Sequence, residues 1–266
     1  MKPALLIAGL GLLVATLAPA APIDPCVDCH TLITPNIVSD WQLSKHSQND
    51  VPCATCHGEG HMSADDVANV EIPTAGTCET CHETQVTQFS AGKHALSWAS
   101  MKAMPTTHAL PIALNEGMKG CGGCHKMGLK SAEEIQELAA KGSLFGNASC
   151  DACHTRHVFS VEEAKQPQAC QTCHMGFDHP QWEMYSGSKH GVRYLLKQKG
   201  ILPEDAAAPT CQTCHMAEGN HEVRTPLKLC STIQNTMTSC AKYTDFSRRR
   251  SISRSSPAST VSASSL

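Results

Sequence analysis

The chain has 266 residues and a formal net charge of −3. This length allows one or two domains, and so balanced a charge gives no reason to expect nucleic acid as a partner. Aromatic residues make up only 4% of the sequence, which is thin for a conventional core. We therefore expect something other than side chains to fill much of the interior.

Residues 1–21 have the pattern of a secretory signal peptide. Lys2 gives a positive start, an apolar run follows from Leu5 to Leu17, and small residues near Ala20–Ala21 form a cleavage site. A membrane anchor is the alternative, but the run is shorter than the roughly 20 residues that a spanning helix needs. We expect the mature chain to be exported to the periplasm.

Residues 22–226 carry one motif seven times. Fourteen of the sixteen cysteines form C-x-x-C pairs, and histidine follows each pair directly. The cysteines are Cys26 and Cys29, Cys53 and Cys56, Cys78 and Cys81, Cys121 and Cys124, Cys150 and Cys153, Cys170 and Cys173, and Cys211 and Cys214. The histidines are His30, His57, His82, His125, His154, His174 and His215.

C-x-x-C-H is typical of covalent haem c attachment, in which two thiols bind the haem and the adjacent imidazole binds the iron. Disulfides or zinc knuckles would also use cysteine pairs. Neither requires histidine after every pair, so the repeats predict a multihaem cytochrome c with seven covalent haems. Because haem then supplies apolar volume that the side chains lack, folding should depend on its attachment.

Eight further histidines could each serve as the second axial ligand of a haem iron. Three of them occur as Lys-His, twelve to sixteen residues after a motif, and this recurrence favours ligation over a packing role. The eight are His46, His61, His94, His108, His157, His179, His190 and His221.

The segments between motifs predict short helices joined by long irregular loops, a mostly α fold organised around stacked covalent haems. Ser131 and Glu134 form a capping box for a helix that ends before Gly142. Ser160 and Glu163 repeat the pattern before Pro167. The stretch from 179 to 200 predicts the longest helix, with Pro180 in its first turn and Gly200 as its cap.

Residues 227–266 have a different composition. Serine and arginine dominate, and Cys230 and Cys240 belong to no motif. The segment is interpreted as a disordered, low-complexity tail or as the product of a truncation or a shifted reading frame near residue 226.

Three stretches resemble the hydroxylamine oxidoreductase family of octahaem cytochromes c. They are "GCGGCHKMG", "CDACHTRHVFSVEEAKQPQACQTCHMGFDHPQWEMYSGSKHG" and "TCQTCHMAEGNHEVRT", within a similarity that spans roughly residues 24 to 225. The resemblance implies seven bis-histidine haems and one haem, the fourth in sequence, that is open to substrate. The eighth haem of the family would lie beyond residue 226.

Carried over by position, the open haem belongs to Cys121, Cys124 and His125, and its distal pair is Asp178 and His179. The other seven spare histidines then match the bis-histidine haems. From the residues alone, Asp178 could instead be a helix N-cap and His179 an ordinary sixth ligand.

The resemblance implies redox conversion of small nitrogen compounds, either hydroxylamine or hydrazine oxidation or nitrite reduction. It also implies a redox partner, a cytochrome or quinol-linked cytochrome, and a homotrimer if the C-terminal region is intact. The alternative is a non-catalytic multihaem electron carrier. A pentahaem nitrite reductase is disfavoured because the sequence has no C-x-x-C-K.

Overall fold

The computed structural model describes residues 24–109, 111, 120–142 and 146–224. The predicted signal peptide, the tail and the side chain of His108 lie outside the described residues. Within these ranges the chain consists of helices, turns and loops, without a β-strand. The prediction of a mostly α fold with irregular loops is confirmed.

The helices are short, and we number those that the structure describes in chain order. They are α1 (Pro25–Ile33), α2 (Pro35–Leu43), α3 (Lys45–Gln48), α4 (Ala54–His57), α5 (Ala75–Ala91), α6 (Ser97–Ala103), α7 (Pro105–His108), α8 (Cys121–His125), α9 (Ala132–Ala140), α10 (Val161–Ala164), α11 (Gln168–Gln171), α12 (Gln181–Ser186), α13 (Lys189–Gln198) and α14 (Cys211–His215). Single 3₁₀ segments lie at Ala64–Asn69, His94–Leu96, Cys150–Ala152 and Ala217–Gly219.

Each C-x-x-C-H motif overlaps or adjoins one helical turn. In the sixth motif the amide of His174 donates to the carbonyl of Cys170 at 2.9 Å, and the second and fifth motifs make the same bond at 3.0 Å. Residues three apart on a helix share a face, so one turn presents both thiols and the following imidazole together. The motif therefore carries its own local geometry.

Both capping predictions are confirmed. Ser131 accepts a hydrogen bond from the Glu134 amide, and the Glu134 carboxylate accepts one from the Ser131 amide, at the start of α9. Gly142 follows this helix with φ of +78°, a left-handed conformation suited to glycine. Ser160 caps α10 through the Glu163 amide at 3.1 Å.

The prediction of one long helix from 179 to 200 is wrong, because the segment forms two helices, α12 with 6 residues and α13 with 10. Helix α12 ends at Ser186, with Gly187 as its C-cap. Ser188 is then the N-cap of α13, and its hydroxyl accepts a hydrogen bond from the Gly191 amide at 3.2 Å. A Cβ at Gly191 would lie 2.1 Å from the Tyr185 carbonyl oxygen. The close approach of α13 to the end of α12 thus requires glycine at position 191. Pro180 precedes α12.

The side-chain core is small. Trp98, Met101 and Leu138 form a buried cluster between α6 and α9, with Cys121 packed against it. Large apolar side chains elsewhere lie on the surface, such as Leu32 at 86% exposure. This distribution agrees with an interior that side chains share with prosthetic groups. No helix in the described part of the chain is long and apolar enough to cross a membrane.

Candidate haem sites and their axial histidines

Six of the seven motif histidines lie beside a second histidine ring that belongs to no motif. Two imidazoles that bind one metal ion from opposite sides, each about 2 Å away, place their ring centres about 6 Å apart. The observed centroid separations are 6.0 Å for His30–His61, 6.1 Å for His82–His46, His57–His157 and His174–His94, 6.2 Å for His154–His221 and 6.3 Å for His125–His179. The residues therefore fit haem c held between paired histidines.

The pairs join segments that are distant in the sequence. His46 follows the first motif but faces His82 of the third, and His94 faces His174 of the sixth. The sequence predicted these histidines as ligands without assigning them to particular motifs. Their ligation stays a prediction, now with a defined partner for each.

Two of the predicted distal ligands have no such partner in the described ranges. His190, in the first turn of α13, is exposed, and no described histidine ring lies beside it. His108 ends α7, and its side chain is outside the described residues. His215 of the seventh motif likewise has no described histidine ring opposite it.

Burial keeps several of these imidazoles neutral. It lowers the pKa of His94 to about 4, with the neighbouring His174 and His215 adding to the effect. Burial also lowers the pKa of His154 and of His157. A neutral imidazole has the lone pair that a metal ion requires, so these rings are ready to bind iron near neutral pH.

The Nδ1 atom of many candidate ligands already has a partner, which leaves Nε2 for the metal. The hydrogen bond orients the ring and tunes how strongly it donates electrons. Four rings bond to a backbone carbonyl: His57 to Glu71, His125 to Ser97, His215 to Arg224 and His221 to Gly219. Three bond to a side-chain oxygen: His30 to Thr34 Oγ1, His174 to Gln181 Oε1 and His61 to Asp66 Oδ1.

Cysteines of different motifs contact each other. The Cys78 side chain lies beside that of Cys150. The Cys124 side chain lies beside that of Cys173. The third motif therefore adjoins the fifth, and the fourth adjoins the sixth.

A third contact completes the arrangement. The Cys170 side chain of the sixth motif lies beside Cys211 of the seventh. The remaining links are electrostatic neighbours, Cys53 with Cys26, Cys56 with Cys78, and Cys170 with Cys153. These contacts give the spatial order of the motifs. The first lies beside the second, the second beside the third, the third beside the fifth and the fifth beside the sixth. The fourth and the seventh both lie beside the sixth.

Asp178 and His179 lie on the loop between α11 and α12, next to the fourth motif. The His179 ring is 6.3 Å from His125 and also 6.3 Å from His174. Asp178 Oδ2 is 3.4 Å from His179 Nδ1, and the two side chains are 57% and 45% exposed. Helix α12 begins at Gln181 with Pro180 as its cap residue, so Asp178 does not cap it.

The 6.3 Å separation from His125 resembles that of the other pairs, and it also fits an ordinary sixth ligand. The role of Asp178 and His179 therefore stays a prediction. What the structure adds is their location, between the fourth and sixth motifs on an exposed loop.

Sequence reasoning missed Asp66, which is hydrogen-bonded to His61 at 2.8 Å. The available signal was the S-x-x-D pattern from Ser63 to Asp66, which forms a capping box at Ala64–Asn69. It also missed the Ser97 carbonyl that accepts from His125 at 3.1 Å, because nothing local marks a backbone carbonyl as a ligand partner.

A profile described as seven times multi-haem cytochrome CxxCH matches residues 49–224, more than half of the chain. The chain belongs to the multihaem cytochrome c family. Its cofactor is covalently bound haem c, and the first motif, Cys26 to His30, lies ahead of the matched residues.

This multihaem cytochrome is similar to a probable nitrite reductase-hydroxylamine oxidoreductase fusion protein of Kuenenia stuttgartiensis, with 33% identity over 75% of this chain and 26% of the relative. It is also similar to the multiheme cytochrome MtrA of Shewanella baltica, strain OS185, with 29% identity over 58% of this chain and 46% of MtrA. The chain thus spans less than half the length of either relative.

Among solved structures, the cytochrome resembles a reducing HAO-like protein complex of Kuenenia stuttgartiensis, with a TM-score of 0.53 and 34% identity over 73% of this chain and 41% of that one. A hypothetical multiheme protein gives a TM-score of 0.51 at 24% identity over 79% of this chain and 57% of that one, which shows the fold alone. The chain is therefore a multihaem c-type cytochrome related to hydroxylamine oxidoreductase-like and electron-transfer proteins.

Proposed function

We propose that this cytochrome is an exported oxidoreductase that converts a small nitrogen compound at the haem held by Cys121, Cys124 and His125. The substrate class is hydroxylamine, hydrazine or nitrite. The observation that carries the proposal is the Asp178–His179 pair, which reaches the His125 ring from an exposed loop. The Kuenenia fusion protein, a probable nitrite reductase-hydroxylamine oxidoreductase, supports the same substrate class.

The chain's own residues move the protons of the reaction. Haem c supplies an iron that can bind a substrate nitrogen and exchange electrons with it. Histidine is a common general acid and base, so His179 can accept protons during oxidation or deliver them during reduction. The Asp178 carboxylate, 3.4 Å from Nδ1, orients the ring.

Haems held at the seven motifs would pass electrons between the fourth motif and the first through the sixth, fifth, third and second. This order follows the cysteine contacts, beginning with Cys124 and Cys173. A cytochrome or quinol-linked cytochrome exchanges electrons with the far end of the path. The same path serves oxidation and reduction, since only the potentials of substrate and partner set the direction.

Electron paramagnetic resonance of the oxidised, haem-loaded protein tests this function. We expect one high-spin haem among low-spin haems, and a change in the high-spin signal when hydroxylamine or nitrite is added. Resonance Raman spectroscopy provides an independent measure of five-coordinate iron. A spectrum in which all haems are low-spin and neither compound changes it would contradict the proposal.

The second candidate is a non-catalytic electron carrier in which His179 is the sixth ligand of the fourth haem. The ring centroids of His125 and His179 are 6.3 Å apart, only 0.1 Å more than the widest of the five other pairs, which lie between 6.0 and 6.2 Å. This similarity to the other pairs favours the electron carrier. The similarity to MtrA also favours it. The all-low-spin spectrum is the result that this candidate requires.

A further inference from the structure

A carboxylate is held against the distal histidine of the first motif. Asp66 Oδ1 lies 2.8 Å from His61 Nδ1, and the His61 ring is 6.0 Å from His30. The Asp66 carboxylate also accepts hydrogen bonds from the backbone amides of Met62 and Ser63, at 2.9 to 3.1 Å. Three independent donors therefore fix the carboxylate in position.

The pair is partly shielded from water. The side chain of His61 is 24% exposed and that of Asp66 is 29% exposed. By comparison, His179 and Asp178 are 45% and 57% exposed, and their closest atoms are 3.4 Å apart. Water screens the first pair less, so its electrostatic effect on the imidazole is the larger of the two.

Apart from the longer Asp178–His179 contact at 3.4 Å, the Nδ1 hydrogen-bond partners found for the other described candidate ligands are uncharged oxygens. They include a threonine hydroxyl for His30 and the Ser97 carbonyl for His125. A charged acceptor draws the Nδ1 proton more strongly than a neutral one and makes the imidazole a stronger electron donor. A stronger donor stabilises oxidised iron relative to reduced iron, which lowers the reduction potential.

We propose that Asp66 is a positioning residue that lowers the reduction potential of the haem bound by Cys26, Cys29 and His30, acting through His61. The first motif lies at one end of the motif path, next to the second through Cys26 and Cys53. The inference rests on the proposed ligation by His61, but not on catalysis at the fourth motif.

Asp66 is also part of a capping box with Ser63, so its role must be separated from simple helix capping. Asp66→Asn removes the charge and keeps one oxygen, in the place of Oδ1, that can accept from His61, Met62 and Ser63. It loses only the second acceptor, Oδ2, which is bonded to the Met62 amide alone. Asp65→Asn is the matched control, because Asp65 is the exposed neighbour on the same segment and its loss changes the net charge equally.

Redox titration of the haem-loaded protein, followed by electron paramagnetic resonance, measures the effect. In Asp66→Asn we expect the reduced-to-oxidised ratio of one haem at a fixed potential to rise at least tenfold, equivalent to 59 mV for a one-electron couple. Asp65→Asn should shift the same haem much less. Asp66→Glu, which restores the charge, should bring the potential back toward that of the wild type.

Unchanged potentials in Asp66→Asn, or an equal shift in Asp65→Asn, would overturn the proposal. His61→Ala tests the ligation on which it rests, since one low-spin signal should become high-spin while the haem stays attached. If every low-spin signal survives in His61→Ala, the Asp66 inference fails at that step. Neither result alters the high-spin signal expected from the fourth motif, so the two proposals fail separately.

Discussion

At the scale of single residues, the chemistry of each histidine depends on what faces its two ring nitrogens. The Nδ1 atoms of His57 and His125 are hydrogen-bonded to a backbone carbonyl, whereas that of His61 is hydrogen-bonded to a carboxylate. The sequence alone predicted which histidines are candidate ligands. It did not distinguish them, because a carbonyl or a carboxylate from another segment reaches the ring only after folding.

His179 is the residue whose replacement tests the proposed chemistry most directly. His179→Ala removes the group that moves protons, and turnover of hydroxylamine or nitrite should fall about 10²- to 10⁴-fold. The low-spin haem signals should remain, since no bis-histidine haem depends on this ring in the proposed enzyme. Steady-state assays and electron paramagnetic resonance on the same samples provide both measurements.

A matched control for this variant is Met184→Ala, on the nearby helix α12, where the side chain is 69% exposed. Its turnover should equal that of the wild type. Conversion of a low-spin haem to high-spin in His179→Ala would instead identify His179 as an axial ligand and support the electron carrier.

At the scale of secondary-structure elements, Glu134 on α9 connects two helices beside the fourth motif. Its carboxylate accepts hydrogen bonds from Lys102 on α6 and from Trp98 Nε1 at 3.2 Å, in addition to capping its own helix. The same α6 contributes Ser97, whose carbonyl orients His125. One side chain, Glu134, thus both caps α9 and links it to α6; we call this link between the two helices the clamp.

Glu134→Ala should lower the free energy of unfolding by about 1 to 2 kcal/mol at pH 7, because it removes a cap and a partly buried hydrogen bond. Glu137→Ala on the same helix, at an exposed position, is the control and should have a much smaller effect. Denaturant unfolding of the haem-loaded variants measures both. Equal values for the two would show that the clamp contributes no stability.

The effect of Glu134 should depend on pH in a defined direction. The hydrogen bond from Lys102, aided by the Ser131 amide and Trp98, holds the pKa of Glu134 below its ordinary value of 4.5. A carboxyl group whose pKa is lowered by folding contributes stability above its unfolded-state pKa and loses it as the pH falls through the lowered value. The difference between wild type and Glu134→Ala should therefore shrink as the pH falls below 4.5.

The helices themselves were predictable where the signals were local. The caps at Ser131 and Ser160 involve residues three apart, and the structure confirms them. The prediction of one helix from 179 to 200 is wrong because Ser188 caps a second helix, whose Gly191 lies close to the Tyr185 carbonyl. Helical periodicity carries no information about such a contact.

At the scale of the whole molecule, haem and protein are expected to form a single folding unit. The buried cluster of Trp98, Met101 and Leu138 is small for the length of the described chain. Residues that hold each proposed haem come from distant segments, as with His57 and His157. Each haem would therefore tie together parts of the chain that make few other apolar contacts.

The chain without haem should consequently fail to fold. Expressed without haem attachment, it should show weak helical circular dichroism and no cooperative thermal transition, whereas the haem-loaded protein should show both. The reason is that haem replaces much of the missing apolar volume. A cooperative melt of the haem-free chain would disprove this coupling.

From the sequence by itself follow the covalent haems, the mostly α fold and the family, because C-x-x-C-H and the helix caps are complete within about five residues. Only the tertiary structure decided which histidine faces which motif, and that the fourth motif branches from the sixth instead of lying between the third and fifth. It also placed Asp66 on His61. The physical reason is that haem attachment and helix capping depend on residues that are neighbours in the sequence. The opposing ligand and the spatial order of the motifs depend instead on the conformation of the long, irregular loops.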